Sequence, residues 1–376
     1  MPDINNVPAL STSRNPRGAV RLNGAVVTGW ESWDVDNNAF RAADAFSVVF
    51  ALHGLPAAFG PPWFGVQKEI DCEIFANEAP DDPDNYKPVL ADRLIYGQVD
   101  DLEYDAVAGT ITLRGRDLTA RMIDDKVSVG NLNQTSSQIA TQIAANHGLT
   151  PVVTATKTKI GTVYNQNASS LKQDRSEWDI LSELATFEHF DVFVTGTELH
   201  FQPKPKDSGD RYAILWQSPT IDFASPIVNA TVLHFERSLT IAKGVSVTVK
   251  SWNAKAKKTF SASYPKSAPA TRVGQSGASS PLKYLFTEQN QTQDWCQQQA
   301  MAHYREITAH MVKIVAEMPG DSQLDCTKIV QVRGTGTAWD QNYFPDSVKR
   351  SMSDGDGYRM ALTGKNISAD VEAAAQ

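Results

Sequence analysis

The hydrophobic period changes twice along the chain, and that limits the folds open to it. From Ala19 apolar and polar residues alternate in short runs. Ala19–Val27 sets apolar residues on either side of Asn23-Gly24, the dipeptide best suited to a two-residue hairpin turn because both positions tolerate positive φ. Ser32–Asp36 and Asp44–Phe50 alternate with period two, and Glu69–Phe75, Leu94–Val99 and Thr110–Gly115 read as further strands, with Gly109 at a turn. The period then lengthens. Ser136–Asn146 places Ile139, Ile143 and Ala144 on one helical face, with Gly148 just past the end as a C-cap. Asp174–Ala185 gives a second amphipathic helix with Trp178, Leu181, Leu184 and Ala185 as its buried stripe. A hairpin over Asp191–Val194 and Leu199–Phe201 follows, turning at Thr195-Gly196-Thr197. Period two then returns in Ala230–Phe235, Lys243–Ser251 and Lys258–Tyr264, where Val245, Val247 and Val249 oppose Ser246, Thr248 and Lys250. A helix is expected over Gln291–Val312, and strands over Ile329–Val332 and Tyr358–Leu362.

The order is thus β, then α+β, then β, in a chain of 376 residues, long enough for two or three domains at roughly 100–200 residues each. The short antiparallel strands point to barrels or sandwiches, and the two β regions could be structural copies. The polar stretch Met1–Pro16 reads as an arm without a signal-peptide core, so folding in a cytosol is expected. Lys266–Pro281, rich in Ser, Gly, Ala and Pro, reads as a mobile surface loop.

Composition removes several classes of function. No apolar run approaches the roughly 20 residues of a membrane-spanning helix, and the mean hydropathy is -0.33. A net charge of -8 argues against a broad cationic face for nucleic acid. Cys72, Cys296 and Cys326 are odd in number and far apart, which fits small core residues in a reducing compartment better than a zinc site or a disulfide framework.

The search for chemistry is negative. His303 and His310 with Glu306 between them would sit two turns apart on one helix, too far for metal ligands that act one turn apart. Asp354-Gly355-Asp356-Gly357 resembles the start of a calcium loop, but Lys365 stands where the terminal Glu belongs, and a tight Asp-Gly turn is the better reading. Gly334-Thr335-Gly336-Thr337 lacks the Lys and the spacing of a phosphate loop and reads as a loop or bulge. The basic run Lys255–Lys258 fits a solvated hairpin end. Exposed Trp63 or Trp252 could serve sugar binding, although such aromatics are more often core or interface residues. No catalytic, cofactor-binding or metal residue is therefore expected, and a binding or structural protein is favoured over an enzyme.

Several segments, in order, resemble the phage tail baseplate hub proteins, including the late control gene D proteins and the Mu-like tail hub. They are Gly115-Arg116-Asp117-Leu118-Thr119-Ala120 with Met122-Ile123-Asp124-Asp125; Ile139–Leu149; Trp178–Leu181 with Leu184-Ala185 and Phe190–Val194; Arg237–Val245 leading to Val249–Asn253; and Met318-Pro319-Gly320, Gln331–Gly336 and Asp356–Met360. Together they run from Ala19 to Asn366, leaving out the N-terminal arm, the acidic loop around Asp81 and the Lys266–Pro281 loop.

The resemblance implies an α+β, mainly β fold: two tail-tube-like antiparallel β-barrel domains with a small α+β insert. The expected division is an arm at 1–17, a first barrel at 18–116, the insert at 117–222, a second barrel at 223–368 with the loop 266–281, and a tail at 369–376. The implied role is a homotrimer whose six barrels form a ring joining the hexameric tail tube, or a distal tail protein, to a trimeric spike. Other baseplate proteins would surround it, and DNA would pass through the lumen without specific binding. Its place would be the virion, assembled in the bacterial host cytoplasm. The alternatives are a tail-associated peptidoglycan hydrolase and the hub of a phage-derived bacteriocin or secretion apparatus.

Overall fold

The computed structural model describes residues 14–39, 41–127, 134–157, 159–160, 175–204, 211–219, 226–242, 244–254, 256–265, 282–289 and 291–366. Most of the N-terminal arm, the loop 266–281 and the tail 369–376 lie outside the described residues.

The N-terminal region holds β1 (Arg17–Leu22), β2 (Ala25–Val27), β3 (Trp30–Asn38), β4 (Ala45–Ala51), helix α1 (Pro61–Phe64), β5 (Asp71–Asn77), β6 (Arg93–Asp105) and β7 (Thr110–Asp117). Asn23 and Gly24 take φ of 48° and 80° and close the β1–β2 hairpin as their chemistry predicts. The strands bond in the order β3-β4-β7-β6-β5-β1-β2. One face of each strand supplies the core, with Trp33, Phe50, Ile74, Ile111 and Leu113 almost wholly buried.

The middle region contains α2 (Thr119–Asp124), β8 (Lys126–Val127), β9 (Gln134–Thr135), α3 (Ser136–Asn146), β10 (Thr150–Val153), β11 (Lys159–Ile160), β12 (Arg175–Ser176), α4 (Glu177–Glu188), β13 (Phe190–Thr195) and β14 (Glu198–Pro203). Both long helices start on a reciprocal capping box, Thr135 with Gln138 and Ser176 with Asp179. β10-β14-β13 form a small sheet. Its Val192, Val194, Leu199 and Phe201 share a core with Ile139, Ile143, Trp178, Leu181 and Leu184 from α3 and α4.

The C-terminal region comprises β15 (Arg211–Gln217), β16 (Ile227–Val228), β17 (Val232–Arg237), α5 (Leu239–Ala242), β18 (Val245–Asn253), β19 (Lys258–Tyr264), β20 (Leu282–Gln289), α6 (Gln293–Thr308), β21 (Val312–Pro319), β22 (Ile329–Arg333), β23 (Asn342–Ser353) and β24 (Gly357–Asn366). Three features differ from the sequence reading. The helix expected over Gln291–Val312 ends at Thr308, because Val312, Ile314, Ala316 and Met318 alternate into the core as β21. The alternating runs at Lys243–Ser251 and Lys258–Tyr264, which fall in the span 223–368 expected for the second barrel, form β18 and β19 and join β20 in a separate sheet covered by α6, with its own core of Val245, Val247, Val249, Cys296 and Ala300. β15 lies within the span 117–222 expected for the insert, yet it pairs in parallel with β22 and buries Tyr212 and Ile214 in the C-terminal core. Parallel pairing needs a partner far along the chain, which no local pattern announces.

The two β regions form one fourteen-stranded sheet rather than two separate ones. The seam is β23. One of its edges bonds β24 along the strand, so β22 and β3 must share the other. Tyr343 pairs with Val330 of β22, whereas residues 347–353 pair with Asn38 to Ser32 of β3. The handover lies at an irregularity between Pro345 and Ser347, where proline has no N–H to offer the ladder. Among the described residues the bonded path ends at β2 and β16, and neither β region closes into a ring of strands. The fold is α+β and mainly β.

Candidate functional site

The residues with the most organised polar chemistry gather where the three regions meet, around the loop between β3 and β4. Arg41 sits there with φ of 57° and reaches across to α4. Its guanidinium donates to Ser182 O at 3.1 Å, to Phe190 O at 3.0 Å, and to Thr186 Oγ1. These contacts join the β3–β4 loop to Ser182 and Thr186 within α4 and to Phe190 at the start of β13. In return Trp178 Nε1 donates to Arg41 O at 2.6 Å. Replacing Arg41 by Ala is expected to cost about 1.5–3 kcal/mol through the loss of its charged hydrogen bonds. Amide exchange should quicken selectively in the last turn of α4, and unchanged exchange there would contradict the clamp.

Arg350, on β23, holds the C-terminal side of the joint and is 3% exposed. It donates to Asp321 O at 2.8 Å, to Asn37 Oδ1 at 3.1 Å and to Leu324 O. The loop it grips is ordered by Asp321, whose carboxylate accepts from Tyr212 Oη at 2.6 Å and from the backbone of Gln323 and Leu324. Glu78 ties that loop to the N-terminal region by accepting from Ser322 N and Oγ at 3.3 Å.

Two carboxyls complete the joint, Asp117 buried and Asp44 half-buried. Asp44 accepts from Asn37 Nδ2 at 2.7 Å and Asn38 N at 2.9 Å, and Asp117 accepts from Thr119 Oγ1 at 2.9 Å. Burial pushes Asp44 up to about 6 against its hydrogen bonds. Burial, and then the nearby Asp44, raise Asp117 well above the ordinary carboxylate range. A cleft of about 710 Å³ opens beside them, between the outer face of the insert sheet, the β3–β4 loop and the loop at 322–327. Arg93 closes one side so tightly that a Cβ on Gly196 would overlap its Nη2.

Thr119, whose hydroxyl meets the Asp117 carboxyl at the cleft, is only 1% exposed, which suits a structural hydrogen bond better than a nucleophile. Burial pushes the thiols of Cys72 and Cys326 up, which suits inert core sulfur. Among the described residues no group of three or more His, Cys, Asp or Glu is placed to hold a metal ion. His303 and His310 do not share a helix, since His310 lies past the end of α6. His303 pairs instead with Glu306 at 3.8 Å and stacks on Phe286. Asp354–Gly357 forms the tight turn between β23 and β24, with Gly357 at φ of 70°. In the loop at 334–337, Asp340 accepts from Thr335 N and Gly336 N, so a side chain fills the place of an anion. Trp63 packs edge-on against Phe59 and Phe64, whereas Trp252 is exposed.

Sequence reading missed Arg41 and Arg350. A signal existed for Arg350: in Val348-Lys349-Arg350-Ser351-Met352 it occupies an apolar-face position, and a charge there asks for buried partners. Nothing local marks Arg41, because its partners lie about 140 positions away.

No family model matches the sequence, and no curated protein matches it significantly. Solved phage tail proteins share its fold. A tail protein from Neisseria meningitidis MC58 superposes with a TM-score of 0.66 at 14% identity, covering 94% of this chain and 97% of that one. The 43 kDa tail protein of prophage MuSo2 from Shewanella oneidensis gives a TM-score of 0.62 at 16% identity, covering 93% and 98%. The E. coli c3393 protein is a component of the type VI secretion system with structural similarity to the T4 tail proteins gp27 and gp5. It gives a TM-score of 0.56 at 11% identity, covering 93% of this chain and 77% of that one.

Proposed function

We propose that the chain is a structural hub of a phage tail baseplate and not an enzyme. Three copies would set their six β regions, each acting as a tube-like barrel, around one axis. The ring would join a hexameric tail tube to a trimeric spike and let DNA through. Its place would be the virion, after assembly in the host cytoplasm. Fold likeness to tail proteins makes this role available, and one observation carries it: a single sheet crosses both β regions without a break at β3–β23.

The outward face of that sheet suits a wall along which a polyanion slides. Asp101, Arg114, Ser47, Asp34, Ser351 and Arg359 follow one another across β6, β7, β4, β3, β23 and β24. Four cations near this face have carboxylate partners: Arg114 with Glu103 at 3.1 Å, Arg116 with Asp100 at 2.7 Å, Lys349 with Asp36 at 2.9 Å and Arg359 with Asp356 at 3.0 Å, whereas Lys313 on β21 is exposed opposite Lys365. Pairing of those four reduces the counterion release that a passing phosphate could gain. The small Ser and Ala side chains between them leave a groove of about 950 Å³ on the seam.

A second reading is favoured by the type VI secretion component of the same fold: the hub of a contractile secretion apparatus. The two share one architecture and differ in neighbouring genes. The decisive measurement is mass by light scattering after size exclusion, with negative-stain images of the peak. A trimeric ring with a central hole is expected. A monomer at every concentration, alone and with the trimeric spike protein, would overturn the ring.

A further inference from the structure

The sheet β18–β20 and α6 form a unit that the chain enters and leaves at one place. Among the described residues none of its strands bonds the large sheet. β17 ends where β21 begins, with Arg237 paired to Val312 and Ser238 N donating to Met311 O at 2.8 Å. Two adjacent crossings into a unit with its own core are the geometry of a hinge. The angle of the unit is then set by what it touches beyond the hinge.

That contact lies between the C-terminal end of α4 and one face of α6. Cys296 and Ala300 of α6 enter the core of the small sheet. Trp295, Gln299 and His303 recur every fourth residue and make a second stripe. Phe187 meets Trp295 with ring centroids 6.3 Å apart, and His189 meets His303 edge to face at 6.5 Å. His189 ends α4 in the left-handed conformation, and Gln299 beside it is 7% exposed. His189 Nε2 is buried and has no hydrogen-bond partner among the described residues. The other face of the His303 ring stacks on Phe286 of β20 at 4.1 Å.

The charges around the two imidazoles come from several elements. Glu306 of α6 lies 3.8 Å from His303 Nδ1. Lys204, just past β14, and Arg41 of the β3–β4 loop attract Glu306 from the opposite side of the contact. Asp191 of β13 lies beside Arg41, and Glu188, next to His189, accepts from Ser136 Oγ at 2.7 Å. Glu288 of β20 lies near His303 and is opposed by Glu183 of α4.

We propose that this contact is a proton-operated latch: charging the imidazoles of His189 and His303 frees α6 from α4, and the unit turns about the hinge at Ser238 and Met311. Histidine charges across about pH 7 to 5. Two cationic rings then face one another, and His189 holds a buried N–H with nothing to accept it. Burial, and then His303, lower His189 from its ordinary value of 6.5. A group that resists its proton in the closed state leaves closure intact above its ordinary value and weakens it as pH falls toward the lowered one. Glu306, held at about 2, keeps its charge and its attraction to Lys204 and Arg41 throughout. Acid also eases the repulsion of Glu183 and Glu288, which works toward closure. Both are exposed, and Glu183 already has Arg175 as partner, so that effect is screened. The latch needs only one copy of the chain and stands apart from the ring reading.

Distances between spin labels test it. Labels at Thr150→Cys in β10 and Thr259→Cys in β19 report the angle of the unit; both positions are exposed. Cys326→Ser removes the one native thiol that is not buried. A single distance is expected at about pH 7.5, and at about pH 5.5 a second, with the open-to-closed ratio raised about tenfold or more. His189→Gln with His303→Gln should hold the first distance at both pH values. Glu306→Gln, at an exposed position, should be more open than its parent at each pH. A control pair within the unit, Thr259→Cys with Asp294→Cys, should keep its distance in acid, which separates opening from unfolding. A parent chain with the same distances at both pH values overturns the latch. So does a pH response that survives in the double Gln variant, or a Glu306→Gln chain that stays closed in acid.

Discussion

Replacing Arg350 by Ala should cost about 3–5 kcal/mol of unfolding free energy, the range for breaking a buried charged network. The side chain is 3% exposed and serves Asp321 O, Asn37 Oδ1 and Leu324 O at once. Two are carbonyls of the 321–324 loop and one belongs to β3, so its loss leaves acceptors from both β regions unpaired. Each buried orphan costs about 1–3 kcal/mol, and the void adds to that. Arg350→Lys should fall between, because an ammonium cannot reproduce the planar fork. Urea denaturation gives the numbers. The seam makes a further claim: limited proteolysis of Arg350→Ala should open the 321–327 loop first. A loss below about 1 kcal/mol would mean that the strand pairing alone holds the two regions together.

The second large effect is on pH. Asp117 is buried and Asp44 half-buried beside it, with Asp117 N donating to Asp44 O at 2.9 Å. Burial raises both carboxyls, Asp44 to about 6. A carboxyl raised on folding binds its proton more tightly in the folded chain. Its contribution is therefore complete below the unfolded value of 3.8 and is lost as pH climbs through about 6. The loss from Asp44 is on the order of 3 kcal/mol, and Asp117 acts in the same direction. Glu306 works the opposite way, held down at about 2 first by its hydrogen bond with His303, but its stability is lost only as pH falls below the carboxylate range. The buried acids should therefore favour about pH 5 over about pH 7, opposed in this interval by His189, His200 and His310, whose values burial lowers; urea denaturation at each pH reads the balance. Asp117→Asn should remove part of the acids' share, since the amide keeps an acceptor for Thr119 N and removes the charge beside Asp44. A pH dependence the same in Asp117→Asn as in the wild type would refute the buried-acid account.

How much was legible follows the range of the interactions involved. The α3 boundaries, the Asn23-Gly24 turn and the β13–β14 hairpin were readable from Ser136–Asn146 and Asp191–Phe201, because caps and turns are settled within a few residues. β20 was not, for its apolar residues do not alternate and six of its eight positions stay exposed around Phe286 and Leu282. The helix was read a few residues too far, to Val312, because Met311-Val312 also extends a helical stripe; the alternation of Val312, Ile314, Ala316 and Met318 into the core settles that stretch as β21. The joint was the least legible part. Arg41, Asp44 and Arg350 are separately ordinary, and they become a site only when the β3–β4 loop meets α4 and the 321–327 loop.

The sequence by itself determined the class of the chain and the turns and caps that bound its elements, since backbone propensity, capping and period are local properties. It also determined which face of β18 or β3 is apolar. Only the tertiary structure decided which strand each edge bonds. It gave β15 to the C-terminal sheet, β18–β20 a core of their own, and β23 the double partnership that fuses two β regions into one sheet. Pairing joins residues more than 300 positions apart, as Ser353 pairs with Ser32. Its free energy depends on a register and a burial that exist only once the chain has folded.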